Sequence, residues 1–374
     1  MLDYYFDSDS ENDYDDILNK IFLDKYHCIR KIGQGSFGRI YEAVYKNEKY
    51  ALKFEPRKSE HNLLQNEAAI MNYLQGPNIP SVKSFGFTTN YNILVMQLLG
   101  KSLEQLLEER KTFSLKTVCM LGYQMVTILE FIHEKHLLHR DVKPDNFAMG
   151  LDEFADNIYL IDFGLSKKYR SMKTLEQYPC VQNKQLTGTA RYASINVLKG
   201  LEHSRRDDLE SVGYILIYFL KGKLPWQKMN AKTREEKYKK ILEKKLQISS
   251  KELYQGYPNE FVQFLDYIKN LDYYEKPNYD ILRHLLNNVM QKQKYMFDYV
   301  YDWSSSMENL KRNIKNKMEQ TNWASFMYHE TEKKYPNIND ENDNIYHIKR
   351  NNKIFENYVK EEPVFCNSSA CSIF

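Results

Sequence analysis

The sequence predicts an α+β chain, a small β-rich lobe followed by a larger helical one. Three observations carry this. Short β-branched and aromatic runs fill the stretch from Cys28 to Leu98. Beyond Gly100, Val118, Leu121, Met125, Ile128, Leu129 and Ile132 recur at the spacing of a core-facing helical stripe. Glycine and proline break the pattern at Gly76-Pro77 and again at Gly100.

In order, strands are predicted at Cys28 to Ile32, Arg39 to Tyr45 and Tyr50 to Phe54. The last two are joined by a turn at Asn47-Glu48-Lys49, as in a meander. A helix follows from Leu63 to Leu74 and stops at Gly76-Pro77. Two further strands are expected at Val82 to Thr88 and Asn92 to Leu98. After Trp303 the composition turns to Asn, Lys and Glu and reads as a tail.

The bulk properties exclude several classes. A chain of 374 residues has ample length for a core, and 42% hydrophobic with 28% charged residues is a globular balance rather than a disordered one. A net charge of +3 is too small for a general nucleic-acid binder. The first sixteen residues hold seven acids and no base (Asp3, Asp7, Asp9, Glu11, Asp13, Asp15, Asp16), which makes a signal peptide unexpected. Five cysteines without a CxxC pair argue against a disulfide framework or a zinc site and fit a reducing compartment. The apolar run from Tyr214 to Leu220 is too short to span a bilayer.

The chemistry concentrates in a few motifs. Gly33-x-Gly35-x-x-Gly38 is followed by the strand-like Arg39 to Tyr45, not by the helix that a dinucleotide-binding turn requires. Strand, glycine turn, strand describes a flap whose bare backbone can lie over phosphates, though an ordinary hairpin reads the same way. On the next strand Lys53, flanked by Leu52 and Phe54, is placed to touch phosphate oxygens, and Glu67 on the following helix can pair with it. The decisive stretch is His139-Arg140-Asp141-Val142-Lys143-Pro144-Asp145-Asn146, with Asp162-Phe163-Gly164 after it. Phosphoryl transfer needs a carboxylate near the attacking hydroxyl, metal ions on the phosphates and cations for developing charge. Asp141 fits the first role, Asn146 and Asp162 offer oxygen ligands for Mg²⁺, and Lys143 can stabilise the migrating group.

Together these motifs resemble the protein-kinase superfamily, over Tyr26 to about Trp303. The resemblance implies a bilobal α+β protein-kinase fold. Its small β-rich N-lobe would run over 26–96, its hinge over 97–100 and its larger α-helical C-lobe over 101–303, with an acidic tail over 1–25 and a polar tail over 304–374. It implies ATP and Mg²⁺ as cofactors, with ATP in the cleft. The nucleotide would be contacted by Ile32, Gly33, Gly35, Gly38, Ile40, Ala51, Lys53, Glu67, Met96 and Leu99. Lys143, two residues after Asp141, resembles Ser/Thr kinases.

A finer likeness is to the casein kinase 1 family, carried by Leu186 to Asn196, where Ser194-Ile195-Asn196 replaces the commoner Ala-Pro-Glu. Ser204 to Ser211, Leu224 to Gln227 and Tyr299 to Trp303 add to it. That family favours protein substrates with an acidic or phosphorylated residue N-terminal to the target Ser or Thr, which requires a cationic pocket. By resemblance Arg191 and Lys237 match its anion site, with Lys228 standing where the family usually has Gly. Arg140, Lys167 and Lys184 match a second basic cluster, weakened by Val181 where a base is common. Each base also reads as a solvated side chain.

The resulting expectation is an ATP-dependent Ser/Thr kinase, monomeric, cytoplasmic, with the nucleus also open to it. Two rivals, a pseudokinase scaffold and a nucleotide-binding oxidoreductase, lack support: no catalytic part is broken, and no βαβ unit follows the glycines. Met307, Leu310, Ile314 and Met318 share one helical stripe, read as a helix docked on the large lobe or one lying on a membrane. Cys371-Ser372-Ile373-Phe374 fits a C-a-a-X prenylation pattern. Cys366 is a candidate second lipid site, so membrane attachment and an unmodified tail both stay open.

Overall fold

The computed structural model describes residues 17–35, 38–57 and 63–304. They fall into two compact units, one running up to Leu99 and including Asp162–Gly164, the other comprising Gly100–Ile161 and the chain from Leu165. The predicted acidic residues 1–16, the Met307 to Met318 stripe, Cys366 and Cys371 lie outside the described residues.

The first unit is a six-stranded antiparallel sheet with one helix. Its strands are β1 (Ile21–Phe22), β2 (Tyr26–Gly35), β3 (Gly38–Tyr45), β4 (Glu48–Pro56), β5 (Val82–Phe87) and β6 (Tyr91–Gln97), in the order β1-β2-β3-β4-β6-β5. Alternation sorts its faces. Tyr41 pairs with Leu52 and Leu52 with Val95, and this row joins Cys28, Ala43, Phe54 and Ile93 in a buried cluster. Helix α1 (Leu63–Leu74) has the predicted bounds and buries Leu64, Glu67, Ile70, Met71 and Leu74. The β3–β4 turn is tighter than predicted. Tyr45 pairs directly with Glu48, and Lys46 and Asn47 turn the chain with φ of 49° and 64°, the left-handed pair that a two-residue hairpin needs. Residues 17–25, assigned to a tail from their composition, are not tail. Ile17 is in the core and β1 pairs with β2, a contribution too short to show as periodicity.

The second unit is helical. It contains α2 (Leu103–Arg110), α3 (Leu115–Glu134), α4 (Ile195–Leu198), α5 (Arg205–Lys221), α6 (Arg234–Gln247), α7 (Ser250–Leu253), α8 (Asn259–Lys269) and α9 (Tyr279–Lys292). Helix α3 packs on α5 and α9, and every residue of its predicted stripe is buried. Although α3 is long and apolar enough to cross a bilayer by composition, its burial is that of a core helix. Ser114 caps it by accepting from Thr117 N, and Asp302 in turn accepts from Ser114 N (2.7 Å) and Oγ (2.6 Å), tying residues near 300 to this unit. Two small ribbons flank the segment that carries the chemistry: β7 (Leu137–Leu138) with β10 (Lys167–Lys168), and β8 (Phe147–Met149) with β9 (Ile158–Leu160).

Candidate active site

In the first unit the sheet register gathers the residues predicted to meet a nucleotide. Gly33 pairs with Ile40, Ile40 with Lys53, and Lys53 with Leu94. Two residues along, Glu42, Ala51 and Met96 form the next row on the same face, opposite the Tyr41–Leu52–Val95 core. Ile32 sits half-buried at a register irregularity between Lys31 and Gly33, and Leu99 is half-buried at the end of the unit. Gly35 pairs with Gly38, so the strands close on a two-residue connection. A side chain at Gly38 would run into the carbonyl oxygen of Phe54.

On this face Lys53 Nζ donates to Glu67 Oε2 at 2.7 Å and to Asp162 Oδ1 at 3.2 Å. Burial opposes its charge, but the carboxylates of Asp162 and Glu67 outweigh it, and the ammonium holds its proton more tightly than an ordinary lysine. Burial likewise pushes Glu67 up to about 7, against the pull of Lys53. Glu55 orients the helix that carries Glu67: it accepts from Leu64 N (3.2 Å) at the start of α1 and from Asn92 Nδ2 (3.1 Å). Asp162 adopts φ of 65°, rare for a residue with a side chain.

In the second unit the chemistry centres on Asp141. One carboxylate oxygen, Oδ1, accepts from both Thr189 N and Thr189 Oγ1 at 2.8 Å. The other, Oδ2, lies 2.7 Å from Lys143 Nζ. Asn146, placed by the single 3-10 turn Pro144–Asn146, donates from Nδ2 to the Asp141 carbonyl at 2.8 Å. Its amide oxygen remains as an oxygen of the kind Mg²⁺ takes.

The loop bearing Asp141 is held from beneath. Asp208, near the start of α5, accepts from His139 N and Arg140 N at 2.9 Å, one bond to each oxygen, and from His133 Nε2 at 3.0 Å. These donors keep its carboxyl below the usual carboxylate range, although burial pulls the other way. The bonds fix Arg140 at φ of 68°, a left-handed turn that aims the next residue, Asp141.

Two partners of Asp141 are invisible to spacing in the sequence. Thr189 lies far along the chain. Gly188 precedes it at φ of +87°, where a Cβ would meet the Arg140 carbonyl and come within 3.2 Å of Asp141 Oδ1. Only glycine lets that backbone approach so closely.

The predicted cationic residues carry partners of their own. Arg191 is half-exposed, with its guanidinium carbon 5.7 and 5.9 Å from the centres of the Tyr192 and Tyr218 rings, and lies 3.7 Å from Glu104 Oε1. Its backbone carbonyl accepts from Trp226 Nε1 at 2.7 Å. Lys228 is exposed and adopts φ of 55°, a conformation in which glycine is unstrained. Lys237 is exposed in the first turn of α6. In the second cluster Lys167 and Lys184 each lie 3.3 Å from one oxygen of Glu202, and Arg140 Nε donates to the Leu165 carbonyl at 2.6 Å. Glu104 and Glu202 escape a search of the sequence for bases.

Among the described residues no group of three or more His, Cys, Asp or Glu side chains converges on one point. The Mg²⁺ expectation is of a different kind. Asp162 and Asn146, each in its own unit, offer single oxygen donors of the kind a hard cation takes.

A family model described as protein kinase domain matches residues 26–294, well over half of the chain. The match takes in Lys53, Glu67, Asp141, Asn146 and Asp162, and the curled antiparallel sheet and the helical unit are the two lobes of that fold. The chain belongs to the protein kinase family.

Proposed function

We propose that this kinase acts on Ser and Thr, with a substrate preference like that of casein kinase 1 for acidic or phosphate-primed proteins. The observation that carries the first half is the Lys143–Asp141–Thr189 constellation. It leaves one carboxylate whose two oxygens are differently bound, Oδ1 by two donors from Thr189 and Oδ2 by the Lys143 ammonium and, at 3.3 Å, by Asn146 Nδ2. Protein kinase domains use ATP with a divalent metal, which draws charge from the phosphates when bound.

Lys53, held by Glu67, grips the nucleotide phosphates. The substrate hydroxyl oxygen forms a bond to the γ-phosphorus as the bond to the β–γ bridging oxygen breaks, leaving ADP. The hydroxyl proton passes to Asp141, and Lys143 offsets charge on the transferred group.

The second half is supported by the exposed charge of Lys228 and Lys237 and by Arg191, which is 42% exposed at its side chain. Glu104 tempers that charge, so an incoming phosphate must out-compete a carboxylate 3.7 Å from Arg191. With close to two negative charges a phosphate does so better than an Asp or Glu side chain. Arg191→Ala should therefore raise KM for a peptide phosphorylated N-terminal to its target Ser by about tenfold, and for an unprimed acidic peptide by much less. Equal losses for both peptides would make Arg191 a structural residue.

A further inference from the structure

Strands β7 and β10 form a ribbon only two residue pairs long, Leu138 with Lys167 and Leu137 with Lys168. The ribbon ties the stretch that leads into His139-Arg140-Asp141 to the segment that begins at Leu165. Its outer end closes at His136. There Tyr169 N donates to the His136 carbonyl at 3.2 Å, and Tyr169 Oη donates to the His133 carbonyl at 2.9 Å. The side chains repeat the join, because Arg170 Nε donates to His136 Nδ1 at 2.7 Å. His136 takes φ of 66°, a left-handed turn between the end of α3 and β7. Arg170 in turn opens a small loop. It bridges to Gln177, whose amide oxygen accepts from Arg205 Nη2 on α5 at 2.9 Å.

An imidazole nitrogen accepts a hydrogen bond only when it carries no proton. The Arg170 contact therefore requires the neutral ring of His136, with its one proton on Nε2. A proton taken from solvent at Nδ1 would remove the acceptor and set an imidazolium against a guanidinium. The surroundings favour the neutral form. Burial and Arg170 hold the His136 pKa below the usual 6.5, and Lys135 and Lys168 add to this, while Glu134 opposes. Glu134 is itself engaged by Lys276 at 2.8 Å and lies 3.9 Å from Arg170 Nη2. We propose that His136 is a positioning residue whose neutral ring latches Arg170, so that its protonation loosens the β7–β10 ribbon and lowers kcat in mild acid. Because the folded-state pKa is depressed, the unfolded chain takes up the proton first. The stability that the latch contributes is complete above 6.5 and is lost as the pH falls below it. The inference rests on the kinase reading above and adds a pH response to it.

The full chain would be assayed on casein between about pH 7.5 and about pH 5 as wild type, His136→Asn and His136→Phe. Asparagine gives Arg170 an amide oxygen that does not titrate, and it tolerates the left-handed backbone. Phenylalanine gives no acceptor. His136→Asn should match the wild type at about pH 7.5, and the ratio of wild-type to His136→Asn kcat should fall about threefold or more toward pH 5. His136→Phe should lie about threefold or more below both at about pH 7.5 and keep a constant ratio to His136→Asn. Nitrogen-15 spectra of the histidine-labelled wild type should show the Nε2–H tautomer of His136 at neutral pH. Its titration midpoint should coincide with the fall in kcat and rise in Arg170→Met, which removes the neighbouring charge. Amide exchange at Tyr169, compared at equal pH, should quicken on acidification in the wild type relative to His136→Asn. Superimposable pH profiles for wild type and His136→Asn would overturn the inference. So would full activity of His136→Phe, a ring protonated at Nδ1 at neutral pH, or a midpoint unmoved by Arg170→Met. A wild type that transfers no phosphate at any pH would instead overturn the kinase reading, and the ring titration and amide exchange would still decide the latch.

Discussion

Lys245 offers a sharp quantitative test. This lysine on α6 is only 2% exposed, and its ammonium donates to the Ala193 carbonyl at 2.5 Å. It lies 4.1 Å from the centre of the Tyr214 ring and 4.8 Å from that of Trp226. Together with Trp226 Nε1 on the Arg191 carbonyl and Ser211 Oγ on the Tyr192 carbonyl, it holds three successive carbonyls of the substrate-side segment. Burial lowers its pKa from 10.5 to about 7, with Glu210 opposing and Lys269 adding to the shift. The folded-state pKa is thus depressed. Between about 7 and 10.5 the unfolded chain keeps a proton that the folded chain has released, and stability rises with pH across that window. One full proton of difference is worth about 1.4 kcal/mol per pH unit, which integrates to roughly 2 to 3 kcal/mol between about pH 7.5 and 9.5. Lys245→Met keeps the length of the side chain and removes the titration. Urea unfolding of both proteins across that range should show the wild type gaining roughly 2 to 3 kcal/mol more than the variant. The orphaned Ala193 carbonyl adds a pH-independent cost of about 1–3 kcal/mol to the variant, which offsets its curve without tilting it. Parallel curves would refute the reasoning and show that the aromatic faces and the carbonyl keep the cation charged despite burial.

Two further outcomes follow from single contacts. Thr189→Val removes the hydroxyl donated to Asp141 Oδ1 but keeps the backbone donor, so kcat should fall about tenfold with KM for ATP unchanged. A matching rise in KM for ATP would place the defect elsewhere. Lys228→Gly releases a left-handed backbone and should stabilise the chain by up to about 1 kcal/mol, read as a higher midpoint in urea.

Much of the fold is legible in the sequence where periodicity is strong. The α1 bounds and the α3 stripe follow from spacing alone, because their apolar residues face a core made within one unit. The sequence pattern sets the β3–β4 turn one residue late because Glu48 and Lys49 look like turn residues, whereas both pair across the ladder and Lys46-Asn47 make the turn. Ile17 and β1 carry too few residues to announce themselves. The site divides in the same way. Lys53, Asp141, Lys143, Asn146 and Asp162 stand out because their types and order are specific to phosphoryl transfer. Gly188 and Thr189 lie in the Leu186 to Asn196 string, but their contact with Asp141 depends on a backbone angle and on chain far away; Glu104, Glu202 and Lys245 act through contacts across long stretches of chain, and no local pattern marks them.

The central claim is tested most directly by the amino acid that receives phosphate. Purified wild type and Asp141→Asn would be incubated with γ-labelled ATP, Mg²⁺ and casein, and the labelled casein hydrolysed to its phosphoamino acids. The account predicts phosphoserine and phosphothreonine from the wild type, no phosphotyrosine, and at least about a hundredfold less label from Asp141→Asn. Equal labelling by the two proteins, or phosphotyrosine as the main product, would contradict it.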